Sequence, residues 1–219
     1  MKIGIIGAGN IGANLTRRFA AAGHDVAVSN SRGPDTLAEL AAETGATAVL
    51  ATEAAADAEV VVVTIPLGKV PDLPSDLLDG AAPGAVVIDT NNYYPQRDGR
   101  IDAIEDDGLT ESAWVSQQLG VPVIKAFNGI YAANLIDAAR PAGDPERIAL
   151  PIAGDDPDAK AKVAALVQEI GFDAVDAGTI AESWRQQPDS PSYGPKLNAE
   201  ELRAALAAAS PERPATFRA

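Results

Sequence analysis

The stretch Lys2-Ile3-Gly4-Ile5-Ile6-Gly7-Ala8-Gly9-Asn10-Ile11-Gly12 decides the fold class. A short apolar, β-branched run of strand length enters a glycine cluster spaced G-x-G-x-x-G, and the cluster opens a segment of helical composition from Asn10 to Ala22. Each glycine has a separate physical task in a dinucleotide-binding turn. Gly7 permits the tight turn, Gly9 lets the backbone approach a pyrophosphate, and Gly12 allows helix to pack closely on strand. The free N–H groups at the helix start face the anion. A bare glycine pattern also fits a strand-to-helix turn without a ligand. The context here is fuller: Arg17-Arg18 lies late in the helix, and Gly23-His24-Asp25 turns into a second strand.

The end of that second strand selects between nicotinamide cofactors. An NAD-binding unit places Asp or Glu there against the ribose hydroxyls. This chain has Ser29-Asn30-Ser31-Arg32 instead. A carboxylate would repel a 2′-phosphate, whereas hydroxyls, an amide and a guanidinium donate to one. The expected cofactor is therefore NADP(H). The alternative is that Arg32 caps a solvated loop and is neutralised by Asp35.

Outward from this unit, short β-branched runs alternate with alanine-rich segments of helical length. That alternation predicts an α/β, doubly wound Rossmann architecture with a mainly parallel sheet and helices on both faces, here followed by a C-terminal helical extension. Strands are expected at Lys2–Ile6, Asp25–Ser29, Ala46–Leu50, Val60–Thr64, Ala85–Asp89, Val121–Lys125, Ile148–Ala153 and Asp173–Asp176. Helices are expected at Asn10–Ala22, Asp35–Glu43, Glu111–Leu119, Pro157–Ile170 and Ala199–Ala209. In such a sheet, ligands sit outside the carboxyl ends of the strands. The turns Thr64-Ile65-Pro66-Leu67, Asp89-Thr90-Asn91-Asn92 and Lys125-Ala126-Phe127-Asn128 should then line one crevice. Pro66, lacking an N–H, is suited to the first turn of a helix there. Residues 1–184 form the expected nucleotide-binding unit, and 185–219 a proline-rich arm with a terminal helix. The arm suggests a homodimer by exchange of a terminal element.

Composition narrows the function further. Seventeen basic against thirty-one acidic residues leave a formal charge of −14, a field that repels phosphate backbones and anionic lipid. Nucleic acid and membrane are excluded as expected partners. No cysteine and one histidine remove disulfides, Cys/His zinc clusters and thiol nucleophiles, so redox chemistry must come from a bound cofactor. No apolar run has the length of a signal peptide or a bilayer span, which makes the cytoplasm the expected location. His24 falls at the end of the sheet opposite the crevice and reads as a surface residue. Trp114 and Trp184 read as packing residues.

Taken in order, Gly7–Gly12, Ser29–Arg32, Thr64–Leu67, Lys125–Asn128, Ala153-Gly154-Asp155-Asp156 and Asp176-Ala177-Gly178 resemble the F-420-dependent NADP oxidoreductases. They are also similar to the oxidoreductase domain of the STEAP metalloreductases. The resemblance spans roughly residues 1–184. It implies NADPH along Gly7–Gly12, Asn30–Arg32 and Ile65–Leu67. It also implies a second ring, coenzyme F-420 or a flavin such as FMN or FAD, near Asn91, Phe127, Asn128 and Gly178. The segment Asn91-Asn92-Tyr93-Tyr94-Pro95-Gln96-Arg97-Asp98-Gly99 and the tail from Ser183 depart from the family pattern. There Tyr93, Tyr94, Arg97 and, nearby in the fold, Lys125 are candidates to hold an acidic or aromatic ligand. Lys125, Tyr93 and Tyr94 are also the first proton donors to test if the substrate is a carbonyl or imine. Three functions fit: hydride transfer to a deazaflavin or flavin, reduction of a small carbonyl or imine, and NADP(H) sensing without turnover.

Overall fold

The protein was analysed as a computed structural model that describes residues 1–218; the last position of the expected arm, Ala219, lies outside the described residues. Val60-Val61-Val62-Val63 shows why the sheet forms. Every residue is β-branched, stiff at χ1 and suited to a pleated strand, and all four are buried. Because side chains alternate across a strand, Val60 and Val62 join Ile3, Ile5 and Val28 in one core, while Val61 and Val63 join Ile6, Ala27 and Val87 in another. A strand buried on both faces must be covered twice, and this is the condition for a parallel sheet between helical layers.

The six strands β1 (Lys2–Ile6), β2 (Asp25–Ser29), β3 (Thr47–Ala48), β4 (Val60–Val63), β5 (Val86–Asp89) and β6 (Val123–Lys125) are all parallel, in the order β3-β2-β1-β4-β5-β6. This is the Rossmann order, and the reversal between β1 and β4 opens the crevice at their carboxyl ends. Helix α1 (Asn10–Ala21) lays Leu15 and Phe19 on the first core. The second core is covered by α3 (Ala51–Ala55) and, beyond the short α4 (Pro95–Asp98) and α5 (Asp102–Glu105), by Trp114 and Val115 of α6 (Glu111–Leu119). The expected helix from Asp35 divides into a 3-10 turn, Pro34–Leu37, and α2 (Ala38–Thr44), which ends on Gly45. Trp114 packs as expected. His24 does not lie on the surface. Its ring is packed edge-on to Phe19 and bonds Glu169 and the N-terminal amine, although it does sit at the end of the sheet opposite the crevice.

The last two expected strands do not extend the sheet. After α7 (Ala132–Asp137), β7 (Ala149–Ile152) pairs in parallel with β8 (Asp173–Asp176) as a separate ribbon, with α8 (Pro157–Glu169) between them in sequence. Its link to β6 is a single antiparallel bridge, Lys125 to Ala153. Helix α9 (Ala199–Ala208) packs Leu202 and Leu206 on the ribbon, so the terminal helix is the ribbon's second layer.

A charge cluster lies under the carboxyl ends of β5 and β6. Lys125 Nζ, with no exposed surface, is 3.4 Å from Asp89 and 3.7 Å from Glu111, and Arg213 of the tail is 2.9 Å from Glu111. Two cations thus face two carboxylates. Burial, opposed by the Lys125 and Arg213 charges, leaves the Glu111 carboxyl above its ordinary range. Removing one member strands a buried charge, which costs about 3–5 kcal/mol. Lys125→Met should therefore lower unfolding free energy by about that amount in urea denaturation; a loss under about 1 kcal/mol would mean that the neighbouring charges are hydrated in the folded protein.

Candidate active site

The expected glycine roles can be read atom by atom. Gly7 has φ +109°, and a Cβ there would run into the Thr64 carbonyl. A Cβ on Gly12 would run into the Gly7 carbonyl, so this glycine sets the closeness of α1 to the turn. Gly9 is different: no atom lies within 4 Å of where its Cβ would stand, although it caps α1. The protein leaves Gly9 open, which is the condition for an anion to approach the first N–H groups of the helix.

From Gly9 a groove of about 670 Å³ runs past Ala8 and Ser29–Arg32 on one side and Thr64–Pro66 on the other. Its size suits a nucleotide-sized ligand. At its outer end Ser31 and Arg32 are exposed, and Arg32 is in no ion pair among the described residues. The pairing with Asp35 considered above is therefore not made. Asn30 and Ser29 have other tasks: the Asn30 carboxamide oxygen accepts from the Arg32 N–H at 2.9 Å and the Asn30 amide donates to Thr36, while the Ser29 hydroxyl donates to the Ile5 carbonyl. They shape the turn that presents Ser31 and Arg32. Lys69, which sequence reasoning missed, also lines the groove and pairs with Asp72 at 3.0 Å. It reaches the groove through the 3-10 turn Leu67–Asp72, for which Pro66 is the N-cap. The only available signal was a lysine three residues beyond a strand-ending proline.

At the inner end, Lys125 Nζ donates to the Asn91 carbonyl, and the Asn91 side-chain oxygen accepts from the Ile65 N–H at 3.1 Å. The turns after β4, β5 and β6 are thereby tied together. Asn91 Nδ2 is buried with no hydrogen-bond partner. An unpartnered buried donor beside a ligand groove calls for an acceptor that the protein itself does not supply. Asn128 donates to Asn92 at 3.1 Å and to the Gln186 carbonyl, and Asn92 donates back to the Asn128 carbonyl at 3.0 Å. Open backbone at Gly9, an unpaired guanidinium at Arg32 and an unpartnered amide at Asn91 together fit an NADP-type dinucleotide.

Other expected residues lie elsewhere. Leu67 and Ala126 have no exposed surface and belong to the cores, so neither faces the groove. Asn10 and Ile11 follow Gly9 into α1 and do not line the groove. Phe127, expected beside a second ring, is 1% exposed and packs edge-on against Phe19 at 6.3 Å. Its ring is core, on a left-handed backbone at φ +61°. Such a conformation in a bulky residue costs on the order of 1–3 kcal/mol and is found where function or packing enforces it. Lys125 is sealed and cannot reach a substrate. Tyr93 is likewise fully buried and donates to the Gly99 carbonyl. Arg97 is committed to Asp98, to the Asn92 carbonyl and to the Tyr94 ring. Of the three proton-donor candidates, only Tyr94 remains partly open, and its hydroxyl meets that of Tyr193. Tyr193 comes from the arm and was not expected.

The comparisons agree with this geometry. The family described as "NADP oxidoreductase coenzyme F420-dependent" matches residues 2–93, the half that carries the glycine turn, Arg32 and Asn91. The YjhV protein of Escherichia coli strain K12 is 52% identical over 60 residues, which are 27% of this chain and 44% of that protein. The chain thus spans less than half the length of this curated relative. The SMa0349 protein from Sinorhizobium meliloti is 32% identical in its crystal structure, with a TM-score of 0.72 over 90% of this chain and 93% of that one. A protein of Arthrobacter sp. fb24, provisionally named an F-420-dependent NADP-reductase, shares the fold at 24% identity, with a TM-score of 0.68 over 84% of this chain and 87% of that one. Among the described residues no helix is long and apolar enough to cross a membrane. Residues 2–93 thus match the family of F-420-dependent NADP oxidoreductases, and the chain as a whole has the Rossmann fold.

Proposed function

We propose that the enzyme moves a hydride between NADPH and a deazaflavin such as coenzyme F-420, or a flavin, presented to the turns after β5 and β6. The observation that carries this reading is the continuous groove from the open Gly9 to the unpaired Arg32; behind its wall lies the unpartnered Asn91 amide, whose side-chain oxygen accepts from the groove residue Ile65. Ser31 and Arg32 hold the 2′-phosphate, the N–H groups opening α1 hold the pyrophosphate, and Ile65 and Pro66 flank the nicotinamide half. The Asn91 amide donates to the nicotinamide carboxamide. When bound, NADPH supplies the hydride, and the protein's part is orientation and exclusion of water. The family match over residues 2–93 and the provisional name of the Arthrobacter relative support the deazaflavin as acceptor.

A second reading, reduction of a small carbonyl or imine, draws support from the hydroxyl and amide cluster of Asn92, Tyr94 and Tyr193, which offers hydrogen-bond donors that a flat ring alone does not require. A cytoplasmic homodimer completes the proposal. The arm seats on its own chain, with the Gly194 N–H on the Gly129 carbonyl and Arg213 on Glu111, so a dimer needs no exchange of it.

Anaerobic NADPH oxidation with F-420, FMN, FAD or no acceptor tests the reading. Rapid reduction of F-420, slow reduction with NADH and no reaction without acceptor are expected; NADPH binding with no turnover of any flavin-type ring would move the assignment to the carbonyl or imine reading. Arg32→Ala removes one charged hydrogen-bond donor, worth about 1.5–3 kcal/mol, so NADPH should bind about 10- to 100-fold more weakly while NADH changes less than about twofold. Equal losses for both cofactors would remove Arg32 from the 2′-phosphate. Gly9→Val should leave the melting temperature near that of the parent, because the side chain enters open space, yet weaken NADPH by on the order of 100-fold, about 2.7 kcal/mol.

A further inference from the structure

Three of the four tyrosines bring their hydroxyls together at the carboxyl ends of β5 and β6, and the nucleotide groove uses none of them. The Tyr94 and Tyr193 hydroxyls are hydrogen-bonded to each other, and the Asn92 amide donates to Tyr193 Oη at 3.4 Å. Tyr131 interacts electrostatically with Tyr193, and its own hydroxyl lies 3.0 Å from where a Cβ on Gly194 would stand, so the arm leaves room for it. Its side chain is otherwise open, 64% exposed, the most exposed of the large hydrophobic residues described. Asn92 is held in turn by Asn128, and the neighbouring Ser192 hydroxyl anchors the arm on the Arg185 carbonyl. The cluster therefore joins the turn after β5, the turn after β6 and the arm.

We propose that Tyr193, paired with Tyr94, donates the proton that must accompany hydride transfer to the acceptor, and that the acceptor lies against the open face of Tyr131. This rests on the NADPH-dependent reduction proposed above. Hydride delivery to a deazaflavin, flavin, carbonyl or imine forms one carbon–hydrogen or nitrogen–hydrogen bond and leaves an electron pair on an acceptor nitrogen or oxygen. Neutralising it takes one proton. The Tyr193 O–H bond breaks as the new N–H or O–H bond forms, the phenolate is left behind, and Tyr94 returns a proton that solvent replaces.

The hydrogen bonding suits this role. A phenol has a single donor. The Asn92 amide donates to Tyr193 Oη, and either hydroxyl of the Tyr94–Tyr193 pair can be the donor; in the arrangement where Tyr94 donates, the Tyr193 proton is free for the acceptor, and both donors stabilise the phenolate once the proton has left. Burial holds the Tyr193 phenol above its ordinary range, so it is protonated between turnovers at neutral pH. Other candidates are out of reach: His24 is at the far end of the sheet, bonded to Glu169, while Lys125 and Tyr93 have no exposed surface.

The test uses the full chain under anaerobic conditions with F-420, FMN and the cyclic imine 1-pyrroline as acceptor probes. Binding of NADPH and of each probe is measured separately by equilibrium fluorescence or absorbance. Tyr193→Phe should lower kcat by about 100-fold, within the usual range for loss of a positioned acid. Its Kd for NADPH and for the reacting probe should stay within about twofold of the parent. The parent kcat should be flat from about pH 6 to 9, whereas the residual rate of the variant should fall about tenfold per pH unit as solvent becomes the proton source. Tyr94→Phe should lose on the order of tenfold, with the same split between rate and binding, and it carries the test if Tyr193→Phe fails to bind NADPH and hence to fold. Turnover by Tyr193→Phe with the parent kcat and a flat pH profile overturns the donor assignment, as does a loss confined to probe binding. In both cases the reductase reading stands. A parent enzyme that binds NADPH but reduces none of the three probes overturns both.

Discussion

One buried ammonium organises the polar end of this molecule. Lys125 Nζ emerges from β6 into a region with no access to water, and an uncompensated charge there is untenable. Its compensation comes from every side: Asp89 at the tip of β5, Glu111 at the start of α6, and the Asn91 carbonyl in the turn between them. Ser112 donates to Asp89 and Arg213 to Glu111, so the satisfaction of one lysine reaches from the sheet to the tail. Asn91, fixed at its carbonyl, then holds the Ile65 N–H with its side chain. The turns that flank the cofactor groove are positioned by charge neutralisation beneath them.

The two ends of the site rest on different physics. The nucleotide end is local: three glycines within six residues, a helix start, and a turn at Asn30 that projects Ser31 and Arg32. It needs only one strand-turn-helix unit and the strand beside it. The proposed acceptor end is assembled from residues far apart in the chain. Asn92 and Asn128 are 36 positions apart and Tyr94 and Tyr193 are 99 apart, and they meet only because β5 and β6 are neighbours and the arm folds back across them.

Reading the sequence located most of the sheet. β1, β2 and β8 lie at the expected residues, and β4 and β5 differ by one residue at one end, because runs such as Val60–Val63 leave few alternatives to a doubly buried strand. The misses have specific causes. The ribbon β7–β8 has the composition of sheet strands, and strand composition does not say which strands pair with one another. The 3-10 segment Ile180–Gln186 went unrecognised, although Thr179-Ile180-Ala181-Glu182 spells a capping box, with the Glu182 carboxylate accepting from the Thr179 N–H. Phe127 was misplaced because its residue type suits ring stacking, while its place in the core, on a left-handed backbone, has no local signature in a phenylalanine.

By itself the sequence determined the Rossmann class and the glycine turn, and it pointed to a 2′-phosphate at Ser31 and Arg32. Each depends on residues adjacent in the chain or on the two-residue alternation of a strand, and these short-range constraints are written into consecutive positions. Only the tertiary structure decided that Lys125 and Tyr93 are sealed, that Lys69 joins the groove and that Tyr193 meets Tyr94. Burial and long-range pairing depend on what the rest of the chain places nearby, and a side chain's type does not say whether water or another residue will surround it.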